Sequence, residues 1–177
     1  MDEPVKTSFW ERLFHLDARL SARLALRARL LRWLATFFAH TGDAAFWLAG
    51  AGTLFFVAEA AFWRELALRI ITAMTAGGVA STALKWTFRR QRPPVPSAGL
   101  YFRLDRHALP SGHATRVACI MVVLSPILPA WWVSALLGLW AAVVSLSRVA
   151  LQVHYLLDVL VGMALGALVG LTVIRVL

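Results

Sequence analysis

Between Phe9 and Arg32, Arg12, Arg19, Arg23 and Arg27 fall largely on one helical face, and Leu13, Leu16, Leu20, Leu24 and Leu31 cover much of the rest. That is the pattern of an amphipathic helix. A span placed here would bury several arginines, each costing roughly 2.5–3.5 kcal/mol near the bilayer centre. The segment 9–39 is therefore expected as an interfacial helix that tilts inward over Leu30 to Ala39. His40-Thr41-Gly42-Asp43 breaks it, with Asp43 placed to N-cap the next helix.

Long apolar runs follow. Ala44 to Phe62 and Leu66 to Phe88 are two spans joined by a turn holding Arg64 and Glu65, with Trp47 and Trp63 at belt positions. Glu59, near a span end, is expected to pair with Arg64 or Arg69. The polar stretch Arg89 to Leu109 carries Pro93-Pro94-Val95-Pro96, which suits neither a helix nor a strand interior. Ala114 to Leu128, ended by Pro126 and Pro129, is a third span, Trp131 to Leu146 a fourth and Tyr155 to Leu177 a fifth. The fifth spaces Gly162, Gly166 and Gly170 four apart, a seam along which membrane helices approach closely. The expected fold is all-α, one integral-membrane helical-bundle domain over 1–177 with five clear spans; the amphipathic helix is a sixth if it crosses.

Composition agrees. Hydrophobic residues make up 60% of the 177 and mean hydropathy is +0.70, above the roughly 45–50% apolar content of soluble domains. The net charge of +9 would suggest nucleic acid in a soluble protein. Here the arginines flank apolar runs, so anionic headgroups and phosphate esters are the expected partners, not nucleic acid. The lone Cys119 excludes an intrachain disulfide and a cysteine zinc site. Met1-Asp2-Glu3-Pro4 opens no signal-peptide pattern, which leaves insertion to the first spanning helices.

Three polar strings interrupt the apolar chain: Lys85 with Arg92-Pro93, Pro110-Ser111-Gly112-His113, and Ser147-Arg148 with His154 and Asp158. The first ends the second span, the next opens the third, and the last joins the end of the fourth to the start of the fifth. Span counting thus places all three at one membrane face, as one composite site. His154 and Asp158, four apart, share a face if the last helix begins just before them. A carboxylate there fixes the imidazole tautomer and leaves the other nitrogen to attack; a helix-start ion pair is the plainer alternative. His113 follows Ser111-Gly112 at a helix start, where the dipole favours an anion and a histidine can protonate a leaving oxygen. Ser111 alone reads as an ordinary N-cap, while Gly112 permits close backbone approach to an anion, which a cap alone would not require. Lys85, Arg92 and Arg148 can cage a phosphoryl group, although each singly suits a headgroup contact. Arg89, Arg90, Arg103 and Arg106 read as membrane-surface charge, His15 and His107 as surface groups, and His40 as a turn residue on the site's side.

In order and spacing, Lys85-x6-Arg92-Pro93, Pro110-Ser111-Gly112-His113 and Ser147-Arg148-x5-His154-x3-Asp158 resemble the three signature motifs of the type 2 phosphatidic acid phosphatase superfamily. The resemblance implies a membrane lipid phosphatase. In it His154 is the nucleophile that forms a phosphohistidine, Asp158 orients it, and His113 protonates the leaving group and then activates water. Lys85, Arg92, Ser111, Gly112 and Arg148 hold the phosphoryl oxygens. It implies no metal and no cofactor, and a lipid phosphate or diphosphate as substrate: polyprenyl diphosphate, phosphatidic acid or phosphatidylglycerophosphate. His113-Ala114-Thr115-Arg116, with Asp105 upstream, is similar to the polyisoprenoid (presqualene) diphosphate phosphatase branch, and Arg116 could reach a second phosphate. The resemblance also points to a bacterial inner membrane and an outward-facing site, whereas an arginine helix lying flat at the site face would favour the cytoplasm. Alternatives are a lipid A 1-phosphatase-like or phosphotransferase activity, vanadate-dependent halide oxidation, and a small channel or transporter. The apolar spans oppose halide oxidation, whose enzymes in this superfamily are soluble and larger. Clustering of the polar groups at one face opposes a through-path.

Overall fold

The computed structural model describes residues 8–94, 105–127 and 130–177. Met1 to Pro4, Val95, Pro96, Arg103 and Pro129, all used in the sequence expectations, lie outside the described residues. Among the described residues seven α-helices run α1 Phe9–Arg23, α2 Arg29–Thr41, α3 Ala44–Val57, α4 Ala61–Phe88, α5 Gly112–Leu124, α6 Trp131–Ala150 and α7 Leu156–Val176. A 3-10 turn, Ser125–Ile127, extends α5.

The amphipathic segment is two helices. A reciprocal capping box starts α1: the Ser8 hydroxyl accepts from Glu11 N at 3.2 Å and the Glu11 carboxylate from Ser8 N at 2.8 Å. The chain leaves the helix after Arg23 because Leu26 N donates to the carbonyl of Ala150, at the end of α6, at 3.0 Å. The buried residues of α1 are polar, Asp17 and Ser21, while Phe9, Trp10, Leu16 and Leu20 are exposed. That inversion suits a helix whose outer solvent is lipid. Asp17 and Ser21 cap α7 instead, accepting from Leu157 N at 3.0 Å and Leu156 N at 2.8 Å.

The α3–α4 turn falls at 58–60, before the expected Arg64 and Glu65, because Arg64 Nε caps α3 through the carbonyl of Ala58 at 2.7 Å. Arg69 pairs with Glu65, one helical turn back, and not with Glu59. The helices α4, α6 and α7, of 28, 20 and 21 residues, are long and apolar enough to cross a membrane. The remaining two expected spans, α3 and α5, have 14 and 13 residues. At about 1.5 Å per residue they reach some 20 Å, short of a ~30 Å hydrocarbon core.

Short α5 is the centre of the bundle. Its Thr115, Val117, Ala118, Cys119 and Ile120 are fully buried among α4, α6 and α7. The glycine seam of α7 permits this. A methyl group at Gly162 would lie 2.6 Å from the Ser111 carbonyl oxygen, and one at Gly166 would overlap the Thr115 carbonyl and stand 2.8 Å from Ala118 Cβ. Gly166→Ala is therefore expected to cost at least about 1–3 kcal/mol by forcing α5 and α7 apart, measured as a lower thermal midpoint in detergent. Gly138→Ala, whose nearest neighbour would be Met121 Sδ at 3.9 Å, should stay near wild type.

Candidate active site

Three chain segments converge at the ends of α4, α5, α6 and α7. Beyond α4 the chain runs beside the strand of loop that enters α5: Ala108 N donates to Arg90 O at 2.8 Å, and Gln91 and His107 form a bridge. This pairing sets Lys85, Arg92 and Asp105 together. Lys85 Nζ lies 2.7 and 2.5 Å from the Asp105 carboxylate oxygens, and Arg92 Nη2 donates to the same carboxylate at 2.7 Å. Burial alone would raise the Asp105 carboxyl; the Lys85 hydrogen bond, with the charges of Lys85 and Arg92, outweighs it and holds the group below its ordinary value.

His154 is in the α6–α7 turn and not on α7, as the sequence had suggested. Val153 N and His154 N both donate to Arg148 O, at 3.0 and 3.2 Å, and Gln152 adopts φ 60° with its side chain bonded to the Ser21 and Val149 carbonyls. Arg92 Nη1 lies 3.1 Å from His154 Nε2 and donates to Val153 O at 3.1 Å. A guanidinium only donates, so Nε2 is the lone-pair nitrogen and Nδ1 carries the proton. Nδ1 lies 3.5 Å from Asp158 Oδ2, without a hydrogen bond between them. Burial first, then the charges of Arg92, Arg148 and Lys85, hold the His154 pKa well below its ordinary value. A neutral ring in this tautomer presents its Nε2 lone pair on the Arg92 side.

Asp158, the third residue of α7, accepts from Tyr155 N at 2.8 Å and from Arg90 Nη1 at 2.7 Å. The sequence reading of Arg90 as surface charge is thereby corrected. Arg90 is buried, bridges Asp158 to Asp17 at 2.7 Å on each side, and lies between the Phe14 and Tyr155 rings at 4.4 and 4.2 Å.

At the start of α5, Ser111 occupies the N-cap position without a cap bond from its side chain. Its buried hydroxyl has no hydrogen-bond partner among the described residues, so it is available to a phosphoryl oxygen. Gly112 faces Arg116 Nη1, Ser81 Oγ and Lys85 Nζ, all 3.6 to 4.0 Å from where a methyl would stand. Ser147 bonds within its own helix, to Val144 O at 2.6 Å. Asp43 stands at the N-cap position of α3, as expected, but its side chain makes no cap bond and contacts His40 and His113 instead.

The structure thus gathers Lys85, Arg92, Arg148, Ser111, Gly112, His154 and Asp158, with His113 alongside. The sequence alone missed Arg90, Asp17 and the His113 partner Asp43, and read Asp105 only as a branch marker. One signal was present. Asp17, Asp43, Asp105 and Asp158 each contact a histidine or arginine at this end of the bundle, and an acid among apolar helices is costly enough to suggest function. A cavity of about 650 Å³ opens on Lys85, Asp105 and Gly112, and shares Gly78, Thr82, Trp86 and Arg116 with an apolar cavity of about 640 Å³ lined by Leu48, Met74, Val79 and Ala83.

The sequence profile of the PAP2 superfamily matches residues 66–177. Among solved structures, LpxE of Aquifex aeolicus is 27% identical with a TM-score of 0.74, covering 90% of this chain and 95% of its own. The first transmembrane PAP2 type phosphatidylglycerolphosphate phosphatase from Bacillus subtilis is 25% identical with a TM-score of 0.77, covering 97% of this chain and 88% of its own.

Proposed function

The chain belongs to the PAP2 superfamily of membrane lipid phosphatases, and from that premise we propose that it removes the terminal phosphate of a lipid phosphate or diphosphate through a phosphohistidine on His154. His154 Nε2 attacks phosphorus in line as the bond to the leaving oxygen breaks, and His113 gives that oxygen a proton. Water, deprotonated by His113, then breaks the P–N bond and frees inorganic phosphate. Lys85, Arg92, Arg148 and the Ser111 hydroxyl hold the equatorial oxygens, a cage fixed before the reaction and so stabilising charge without reorganisation. Asp158, 3.5 Å from His154 Nδ1, supplies the negative charge that favours the proton on that nitrogen. To enter the cage, the phosphoryl group takes the place of the Asp105 carboxylate against Lys85 and Arg92.

One observation supports a lipid over a soluble phosphate: the cationic cavity and the apolar cavity share a wall, which lets one molecule place a headgroup and a chain together. Arg89, Arg106 and Arg116 also line the cationic cavity, room for the second phosphate of a diphosphate. Phosphate release by purified protein from undecaprenyl diphosphate, phosphatidic acid, phosphatidylglycerophosphate and a lipid A analogue tests this. At least one lipid should be hydrolysed at least about tenfold faster than glycerol 3-phosphate, with chelator present. Equal rates on the soluble ester, or no release from any lipid, would refute it.

The resemblance suggests a bacterial inner membrane with the site outward. Against this, α1 lies across the site end, where Glu11, Phe14, His15 and Ala18 surround Arg90 and Tyr155. Its arginines then flank the site, and the positive-inside rule favours a cytoplasmic face.

A further inference from the structure

We propose that Asp43 is a positioning residue for His113 and that, with His40, it sets when His113 is protonated, forming a second carboxylate–imidazole unit beside His154 and Asp158. This rests on the phosphatase mechanism above. Asp43 stands in the α2–α3 turn, outside the residues matched by the family profile. The turn is pressed onto α5 and α6 at Gly42, where a methyl would meet Val144 Cγ1 at 2.8 Å and Val117 Cγ1 at 2.9 Å. That close approach brings Asp43 Oδ1 to 2.9 Å from His113 Nε2, across 70 residues of sequence. Its other oxygen lies 2.7 Å from His40 Nδ1.

His113 Nδ1 is 3.1 Å from Arg116 Nη2. Because Arg116 can only donate, Nδ1 holds the lone pair and Nε2–H is directed to Asp43. This is the base form of His113, poised to take a proton from water. The acid form adds a proton at Nδ1 and keeps Nε2–H on Asp43; giving the Nδ1 proton to the leaving oxygen regenerates the base, and the attacking water restores the acid. The proton count closes over the cycle.

The acid form needs a counter-charge. Burial first, then Arg148 of α6 and Arg116 of its own helix, oppose an imidazolium, and Lys85 of α4 stands beside Arg116 near Gly112. Asp43 opposes them. The side chain of His40 is 69% exposed, so the carboxylate is shared between a buried imidazole and one at the aqueous edge. Each hydrogen bond His40 makes weakens the hold of Asp43 on His113.

The test uses the full chain in detergent, with dihexanoyl phosphatidic acid, whose leaving oxygen needs a proton, and p-nitrophenyl phosphate, whose leaving group does not. In Asp43→Asn, turnover of the lipid should fall about 10²-fold and the alkaline limb of its pH profile move to lower pH. The same variant should still give a burst of p-nitrophenolate, followed by slow turnover, because breakdown of the phosphoenzyme needs His113 as base. His40→Ala should move the alkaline limb the opposite way, to higher pH, and Asp43→Glu should restore most of the lipid activity. Wild-type lipid turnover in Asp43→Asn, or equal loss on both substrates with an unmoved limb, overturns the proposal. If Asp43→Asn does not fold, an unmoved limb in His40→Ala overturns it. A wild-type protein that hydrolyses neither substrate refutes the phosphatase mechanism itself, and the assignment with it.

Discussion

His154→Ala is expected to lower lipid-phosphate hydrolysis by about four orders of magnitude, the scale seen when a nucleophile is removed from a catalytic unit. The substitution takes away the nitrogen proposed to bond to phosphorus while leaving Lys85, Arg92 and Ser111 where they are, so binding should suffer far less than turnover. Labelled substrate trapped with acid-free quenching should yield a base-stable, acid-labile phosphoenzyme from wild type and none from the variant. Retained turnover would remove His154 from the chemistry. The same measurement carries a pH expectation. Burial and the charges of Arg92, Arg148 and Lys85 depress the His154 pKa, so the unprotonated fraction stays full as pH falls through the ordinary imidazole range. Phosphoenzyme formation should therefore persist at mildly acidic pH; a fall centred near the ordinary histidine value would contradict that placement.

Arg90→Met should be nearly as damaging, for a different reason. It leaves Asp17 and Asp158 buried together without their shared cation, and breaking a buried pair typically costs about 3–5 kcal/mol. The loss of packing between Phe14 and Tyr155 adds to it. Asp158 also loses one of the bonds that aim it at His154, and misplacement of about 1 Å can cost 10²-fold in rate. Arg90→Lys should not rescue, since an ammonium lacks the fork that reaches both carboxylates. The checks are the thermal midpoint and phosphate release in detergent. A stable, active Arg90→Met protein would return Arg90 to the surface role its sequence context suggests.

Asp43 and Arg90 show where sequence legibility stopped. An aspartate before an apolar helix is the expected N-cap, and an arginine after a span is the expected headgroup contact; both inferences use only local neighbours. Asp43 does hold the N-cap position, but the partners that these two side chains take are 70 and 68 residues away. Helical periodicity says which side of a helix a group occupies, but not which helix stands opposite. The break after Arg23 was hidden similarly, since the carbonyl of Ala150 that holds Leu26 belongs to another helix. His154 and Asp158 met as expected although His154 lies outside α7, because a turn wound onto the end of α6 brings it back.

By itself the sequence determined an all-helical membrane bundle and the common end of Lys85, Arg92, Ser111, His113, Arg148, His154 and Asp158. The physical reason is that lipid forces apolar runs into helices, and the number of crossings then dictates which ends meet. The tertiary structure alone decided which carboxylate holds which cation or imidazole, that α5 is a short buried centre, and that the N-terminal helix turns polar residues inward to cap α7. Those choices follow from close packing at Gly42, Gly162 and Gly166 and from the cost of leaving a buried charge unpaired, both properties of the assembled helices.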